Sequence, residues 1–512
     1  MARPRNRIAG LRGLVIWILL GFLCALVLTA GLFWPRPTPI PAEIRPTERL
    51  LAASADLDDI VIEAIFHPNS RSLNVAQTLT LRNRSSQPLH AVILRAYANA
   101  FQSEDTSPIA VEELYDRCYP SGFSQGGLYV SSVKTGLGNE PLRQAAYHYL
   151  DGAKTIMCLN LPAAWLPGET LAIEAEYILH LPNAANRFGM NNGIFAIGNG
   201  FLSPAILDGI EYRMDPYYPV GDPFFSACAN YLVSVTVPAG YACAGSAWPS
   251  MEDDGAGALC YRFNAPAARD FALCLSNEYI HEQAMEGDIL VTVFAKDKGH
   301  AARALRFAKQ ALRCFNARYG MYPYPAFTLA EADFPFGGME YPCFAMIGTA
   351  EMVEGGDRLE LAIAHETAHQ WWYAVVGNDP VFQAWQDEAL CEFSLLAYAE
   401  TYYGKPFRED LLFRRMETAM RVTVPRGVSP GSPLSDFSGM NEYTLVVYGR
   451  GGAMLVALDE ALDGKLDAFL RAYYDNYRFS IASREDFECL LRSFSDGDWF
   501  PLITDYLDTH LP

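Results

Sequence analysis

The chain has 512 residues, with 39 Lys and Arg against 59 Asp and Glu, for a formal net charge of −20. That balance, with no basic stripe along the sequence, excludes a nucleic-acid partner, because phosphate backbones are held by clustered Lys and Arg. Hydrophobic residues make up 51 % and aromatics 13 %, enough to fill large cores in more than one domain.

From Leu14 to Trp34 the chain runs 21 residues without a charge. Such a helix spans about 30 Å of hydrocarbon. Arg3, Arg5, Arg7 and Arg12 precede it, and positive-inside logic keeps that end cytosolic and sends the remainder outward. The run exceeds the roughly 7–15-residue core of a cleaved signal peptide, although Thr29-Ala30-Gly31 offers small residues for cleavage. A single-pass anchor in the cell membrane is favoured, with the remainder of the chain extracellular; secretion after cleavage is the alternative. The expected layout is a basic cytosolic tail (1–13), a transmembrane anchor in the lipid bilayer (14–34) and a Pro-rich linker (35–55). A β-rich domain (56–286) and a second, α/β domain (287–512) follow. Pro35, Pro37, Pro39, Pro41 and Pro46 make the linker a stiff extended spacer.

Beyond the linker the patterning is β. Val61–Ile65 starts a strand, and Gln77–Leu81 alternates, turns through Asn83–Pro88 and returns as Ala91–Leu94. Thr170–Ala175 and Tyr231–Val237 are further strands, whereas the Gly-, Asn- and Pro-rich stretches at 186–201 and 214–225 read as long packed loops. Outside the anchor stand ten cysteines. Cys243 and Cys260 are the most plausible local pair, and buried free thiols are as good an account of the set. After Asp288–Val293 the period turns helical: Ala301–Arg318 carries apolar residues at three- and four-residue spacing and stops before Gly320. Asp357–Val376 is a second helix ended by Gly377, and Trp385–Tyr403 a third.

The second helix carries His365-Glu366-Thr367-Ala368-His369. Histidines four apart project from one face, about 40° out of line on a 3.6-residue turn, and can share one ion at about 2.0–2.1 Å. Glu388, eighteen residues beyond the motif, offers a third ligand from the third helix. The fourth tetrahedral position is left open, as in a catalytic zinc site. Glu366 stands where a general base takes a proton from water. Ile363, Ala364, Ala368, Trp371, Trp372 and Val375 mark the helix as largely buried, and buried imidazoles and carboxylates need partners that a metal supplies. A surface helix with two histidines is the bland alternative. Glu392, one turn after Glu388, is placed to hold the other nitrogen of a zinc histidine; an ordinary helix acid is equally consistent with that spacing.

With Gly337-Gly338-Met339-Glu340 ahead of the histidine helix and Tyr448-Gly449-Arg450-Gly451 behind it, the chain resembles the aminopeptidase N family of gluzincin zinc metallopeptidases. The resemblance covers roughly Asp56 to Pro512 and is specific in the second half. It implies an α+β architecture, a β-rich domain followed by a thermolysin-like α/β catalytic domain, with one Zn2+ on His365, His369 and Glu388. It further implies that Glu340, on its glycine turn, holds the free ammonium of a peptide by charge-assisted hydrogen bonds, and that Tyr448 stabilises the oxyanion. The expected activity is removal of the N-terminal residue from peptides with a free amino end. A thermolysin-like endopeptidase and a catalytically silent membrane-anchored scaffold are the alternatives. Two positions depart from the family pattern: Tyr341 stands where Asn is usual, which bears on the shape of the site near the first substrate side chain, and Asp387 stands where Asn is common. Because 124 residues follow Glu388, the large helical domain common in the family is expected to be missing and the cleft to be open.

Overall fold

The computed structural model describes residues 44–109, 112–253, 257–424, 427–497 and 499–508. The expected anchor at 14–34 and its flanking tail lie outside the described residues. Among the described residues no helix is long and apolar enough to cross a membrane. The end of the expected linker is helix rather than extended spacer. Thr47 caps Glu48–Ser54 by accepting from Leu50 N at 3.2 Å. Leu50 is buried in the main core and Asn230 Nδ2 donates to Ser54 O at 3.0 Å.

Strict alternation builds the first half. In Asp58–His67, Ile60, Ile62, Ala64 and Phe66 face inward while their neighbours face out. The eight-stranded sheet runs in the order Ser250–Asp253, Ala258–Ala268, Ala229–Pro238, Asp58–His67, Ser72–Arg82, Thr170–His180, Gly127–Leu137 and Arg143–Gln144. Only the Asp58–His67 and Ala229–Pro238 pairing in it is parallel. The expected return strand does not pair with the strand before it. Leu89–Arg95 instead lies in a separate sheet against Ile156–Trp165. Its inward run Val92-Ile93-Leu94-Arg95 is buried throughout, and a strand covered on both faces cannot continue a half-exposed sheet. The 186–201 stretch is likewise not all loop, because Phe188–Asn191 and Ile194–Ile197 form a hairpin inside a third sheet. The Cys243–Cys260 pair is not formed. All ten described cysteines are free, and Cys243 sits in the third sheet while Cys260 sits in the first.

The catalytic half is a five-stranded sheet covered by helices. Its order is Ile280–Glu286, Ile289–Ala295, Ala326–Ala332, Phe344–Gly348 and Gly338–Tyr341. The last of these is an edge strand. Lys298–Tyr319 is capped by Asp297, whose Oδ1 accepts from His300 N at 3.0 Å. Its Ala304, Ala308, Ala311, Leu312 and Phe315 face the core shared with Gly356–Ala368. Beyond Glu388–Tyr403 the described chain is helical down to Phe500–Leu507.

The histidine helix ends at Ala368 and not near Val376. Its exit is a tight turn in which Tyr373 takes φ 114, a conformation that is strained for a side-chain-bearing residue. Arg269, from the end of the first sheet, holds that turn. Its guanidinium donates to Tyr373 O at 2.7 Å, Val375 O at 3.3 Å, Ser226 O at 3.3 Å and to Ser480 O. Gly377 is glycine for the same reason, since a Cβ there would lie 2.2 Å from Arg269 Cζ. Removing the side chain strands several buried carbonyls at about 1–3 kcal/mol each. Arg269→Ala is therefore expected to lower stability by about 3–5 kcal/mol, read as a shift in the urea midpoint. Gly377→Ala should destabilise the wild type strongly and the Arg269→Ala protein little; equal effects in both backgrounds would contradict this packing.

Candidate active site

The Gly356–Ala368 and Glu388–Tyr403 helices pack closely, and their facing side chains converge. His365 Nε2 lies 3.0 Å from His369 Nε2 and 3.2 Å from Glu388 Oε2, and His369 Nε2 lies 3.4 Å from the same oxygen. A tetrahedral ion at about 2.1 Å from each ligand requires edges of about 3.4 Å, so this triangle has the size zinc needs. The outer nitrogens are engaged elsewhere. His369 Nδ1 meets Trp372 O at 3.1 Å, and His365 Nδ1 lies 3.1 Å from Glu392 Oε1, in ion-pair range though outside hydrogen-bond angles. Both inner lone pairs are thereby turned to one point. The N,N,O donor set is that of a catalytic zinc, and the residues fit the ion.

Glu366 is buried beside this triangle with Oε2 free of any protein partner. Glu340, Glu366 and His369 each place a ligand-type atom within 4.8 Å of the others, so Glu340 shares the metal site's cavity. That cavity has a volume of about 890 Å³. Gly337, Gly338, Met339, Glu340 and Tyr448 line it together with the zinc triad and Glu366. Of the two glycines only Gly338 is sterically required: a Cβ there would sit 2.3 Å from Glu366 Cδ, whereas at Gly337 it meets nothing nearer than 4.0 Å. The Gly338–Tyr341 strand pairs only with Phe344–Gly348, leaving its other edge free to pair with an extended peptide.

Alternation along that strand settles what Tyr341 does. It faces away from Glu340, toward the β-rich half, where its hydroxyl donates to Asn199 Oδ1 at 3.2 Å and fills the space left by Gly198. The departure from Asn thus acts on the contact between the two halves. Asp387 caps its helix through Glu388 N and accepts from Asn378 Nδ2 at 3.2 Å. Burial, with Glu388 adjacent, pushes its carboxyl up to about 8, so near neutrality it is uncharged, as Asn would be.

Tyr448 stands on a π-helical turn, Thr444–Arg450, and its ring lies parallel to His365 at 5.6 Å. π-turns of this kind cluster at functional sites. Tyr443, the weaker candidate for the same cleft, is fully buried behind it, edge-on to Tyr448 at 5.8 Å.

Four contributors carried no sequence signal. Gln370 follows His369 and donates to Tyr341 O at 3.0 Å while accepting from Cys343 N at 2.9 Å. It thereby ties the Glu340 strand to the histidine helix. Arg187 and Asp222, an ion pair from the two loop-like stretches of the β-rich half, form part of the cavity wall. Asp222 adds negative potential at Glu340, Glu366 and Tyr448. Arg415 binds Glu392. None belongs to a periodic or spaced pattern, and each acts on a residue more than twenty positions from it in sequence.

Burial dominates the acid–base state. It raises Glu340 well above the usual carboxylate range and Glu366 to about 7. It raises Tyr448 too, so the phenol keeps its proton. Burial opposes protonation of His365, but Glu388 and Glu392 outweigh it and lift the imidazole from 6.5 to about 9. Burial is likewise outweighed at Glu388 and Glu392: His369 and His365 depress the first, and Arg415 with His365 brings the second to about 2.

The fold and the donor set resemble those of a gluzincin zinc site. Residues 303–502 match the Peptidase family M1 domain, and over that stretch the chain is similar to aminopeptidases. Aminopeptidase RNPEPL1 of Mus musculus is 27 % identical over 205 residues, covering 36 % of this chain and 27 % of that protein. Aminopeptidase B of Rattus norvegicus is 27 % identical over 186 residues, covering 33 % and 27 %. The matched stretch thus spans about a quarter of these curated relatives. The crystal structure of an M1 zinc metallopeptidase from Deinococcus radiodurans shares the fold at a TM-score of 0.58 and 17 % identity, over 86 % of this chain and 90 % of that one. A mutant of that enzyme has been crystallised with a Tyr-Ser-Ala substrate.

The His365 shift has a consequence for metal binding. Its value in the fold lies above the ordinary 6.5, so the retained proton stabilises the chelated protein below that pH and the benefit disappears as pH rises through about 9. Zinc must displace the proton. Zinc affinity is expected to climb between pH 6.5 and about 9, with proton release in buffers of different ionisation enthalpy, while the melting temperature of the chelated protein falls over the same interval. A zinc affinity flat across that interval would contradict the assignment.

Proposed function

We propose that this chain is a zinc-dependent aminopeptidase that hydrolyses the first peptide bond of substrates with a free N-terminus. The carrying observation is the position of Glu340: its carboxylate is buried in the same cavity as the zinc triad and lies within 4.8 Å of Glu366 and His369. A carboxylate so close to the scissile position binds a substrate ammonium one residue away, which the endopeptidase alternative does not require.

Held by His365, His369 and Glu388, zinc supplies a Lewis acid that polarises a carbonyl and makes water a better proton donor. The remaining work falls to the chain. The free Oε2 of Glu366 takes the proton of the attacking water, and the same carboxyl then delivers it to the leaving amine. Burial raises that carboxyl, which favours its holding the proton between the two transfers. The Tyr448 phenol donates to the oxygen that gains charge in the transition state. Glu340 fixes the register, and its ionised form is stabilised when the ammonium arrives. The free edge of Gly338–Tyr341 orients the substrate backbone. The Arg187–Asp222 pair closes the cavity from the β-rich half.

The proposed location is the cell membrane, with the catalytic part outside. This rests on the uncharged Leu14–Trp34 run and the four arginines before it. Protease added to intact cells should then degrade the catalytic part while sparing an N-terminal tag.

Glu366→Gln is expected to lower kcat at least about 10²–10⁴-fold, and Tyr448→Phe about 10²–10³-fold, with zinc content near one equivalent in both. Glu340→Ala should raise KM for free-amine aminoacyl substrates. N-acetylated counterparts should not be cleaved by the wild type. Cleavage of acetylated and free substrates at similar rates would replace the exopeptidase reading with the endopeptidase one.

A further inference from the structure

A second layer of residues around His365 is organised by one side chain that no motif includes. Glu392 is 1 % exposed, and an ionised carboxylate so buried requires a charged or multiply donating partner. Arg415 meets that requirement with a two-point grip, Nε to Oε2 at 2.6 Å and Nη2 to Oε1 at 2.5 Å. A planar guanidinium engaged at two points fixes the plane of the carboxylate as well as its charge. The oxygen so fixed, Oε1, is the one 3.1 Å from His365 Nδ1. The orientation of the first zinc histidine is therefore set from the far end of a chain that begins at Arg415.

The turn that carries Arg415 also packs beside the turn that carries Tyr448. Arg415 stands on a π-helical turn, Phe413–Glu417, and Tyr448 stands on another, Thr444–Arg450. The two turns touch through Gly449, where a Cβ would lie 2.4 Å from Ala419 Cβ and 3.0 Å from Arg415 O. Tyr448 then lies parallel to His365 with ring centres 5.6 Å apart. His365 is thus braced at its Nδ1 edge by Glu392 and on its face by Tyr448.

We infer that Arg415 is a positioning residue which, through Glu392, aims His365 Nε2 at the metal point. This rests on the zinc-peptidase reading above. A lysine at the position carries the charge without the two-point geometry, so it restores the function only in part.

The test uses the full-length protein and its Arg415→Ala, Arg415→Lys, Glu392→Gln and Arg415→Ala/Glu392→Gln variants. Zinc affinity is read by competition with a chromophoric chelator, and kcat and KM with a free-amine aminoacyl substrate. Arg415→Ala is expected to lose about tenfold or more in zinc affinity. Its kcat should fall while KM stays within about twofold, because the residue acts on the metal ligand and not on substrate. Arg415→Lys should lie between Arg415→Ala and wild type, and the double variant should be little worse than Glu392→Gln alone. Zinc affinity and kcat of Arg415→Ala within about twofold of wild type overturn the inference. So does a raised KM at unchanged kcat, which makes Arg415 a substrate contact, or an undiminished Arg415→Ala effect on the Glu392→Gln background. Should Arg415→Ala fail to fold, wild-type zinc affinity in both Arg415→Lys and Glu392→Gln overturns it equally. Zinc affinity is read without substrate. A protein that binds zinc and cleaves no free-amine substrate therefore defeats the aminopeptidase reading, while the zinc affinities still decide this one.

Discussion

The burial of charge between two helices governs this structure. His365, Glu366 and His369 on one helix and Glu388 and Glu392 on the other are each less than one-tenth exposed, as is Glu340 from the edge strand. Isolated charges cannot be carried there; each must be paired, shared or neutralised. The arrangement does all three. Glu388 is shared by both histidines, Glu392 is divided between His365 and Arg415, and Asp387 stays neutral through its raised carboxyl. A cation at the triad completes this compensation. The same burial leaves Glu366 Oε2 without a hydrogen-bond partner.

Such compensation is possible because the two helices approach closely. Ala364 and Ala368 on the first and Ala389 on the second are buried in one core. On the far side of the second helix a Cβ at Gly451 would come within 2.8 Å of Ala389 Cβ. Small residues let backbones approach until long polar side chains converge. Large residues then lock the exits: Trp371 Nε1 donates to Gly320 O at 2.9 Å and Trp372 Nε1 to Ser394 Oγ at 3.1 Å.

The β-rich half takes part in this chemistry at a distance. Arg269 holds the strained Tyr373 turn directly after the second histidine, and Trp372, whose carbonyl meets His369 Nδ1, lies in the same turn. Tyr341 anchors the back of the Glu340 strand on Asn199. The orientation of His369 and of Glu340 therefore depends on contacts with residues more than a hundred positions earlier. This accounts for a catalytic sheet that is built against the β-rich half and not beside it.

What was legible in the sequence is what short-range periodicity encodes. His365 and His369 share a helix face because four residues make about one turn. Glu366 and Glu392 take their places by the same arithmetic, and the alternation of Ile60, Ile62, Ala64 and Phe66 declares a strand. Where these elements meet is not periodic, and the tertiary structure alone decided it. The Leu89–Arg95 strand left its neighbour because both of its faces are covered. The histidine helix stopped at Ala368 because Arg269 captures the carbonyls that follow. Tyr341 turned from the cavity because its strand alternates against a partner half that no local pattern describes. Asp222 and Arg415 reached the site from loops and a π-turn. Local sequence specifies which way a side chain points along its own element; which charge it meets depends on packing across the whole chain, and here that packing made the zinc triad's surroundings.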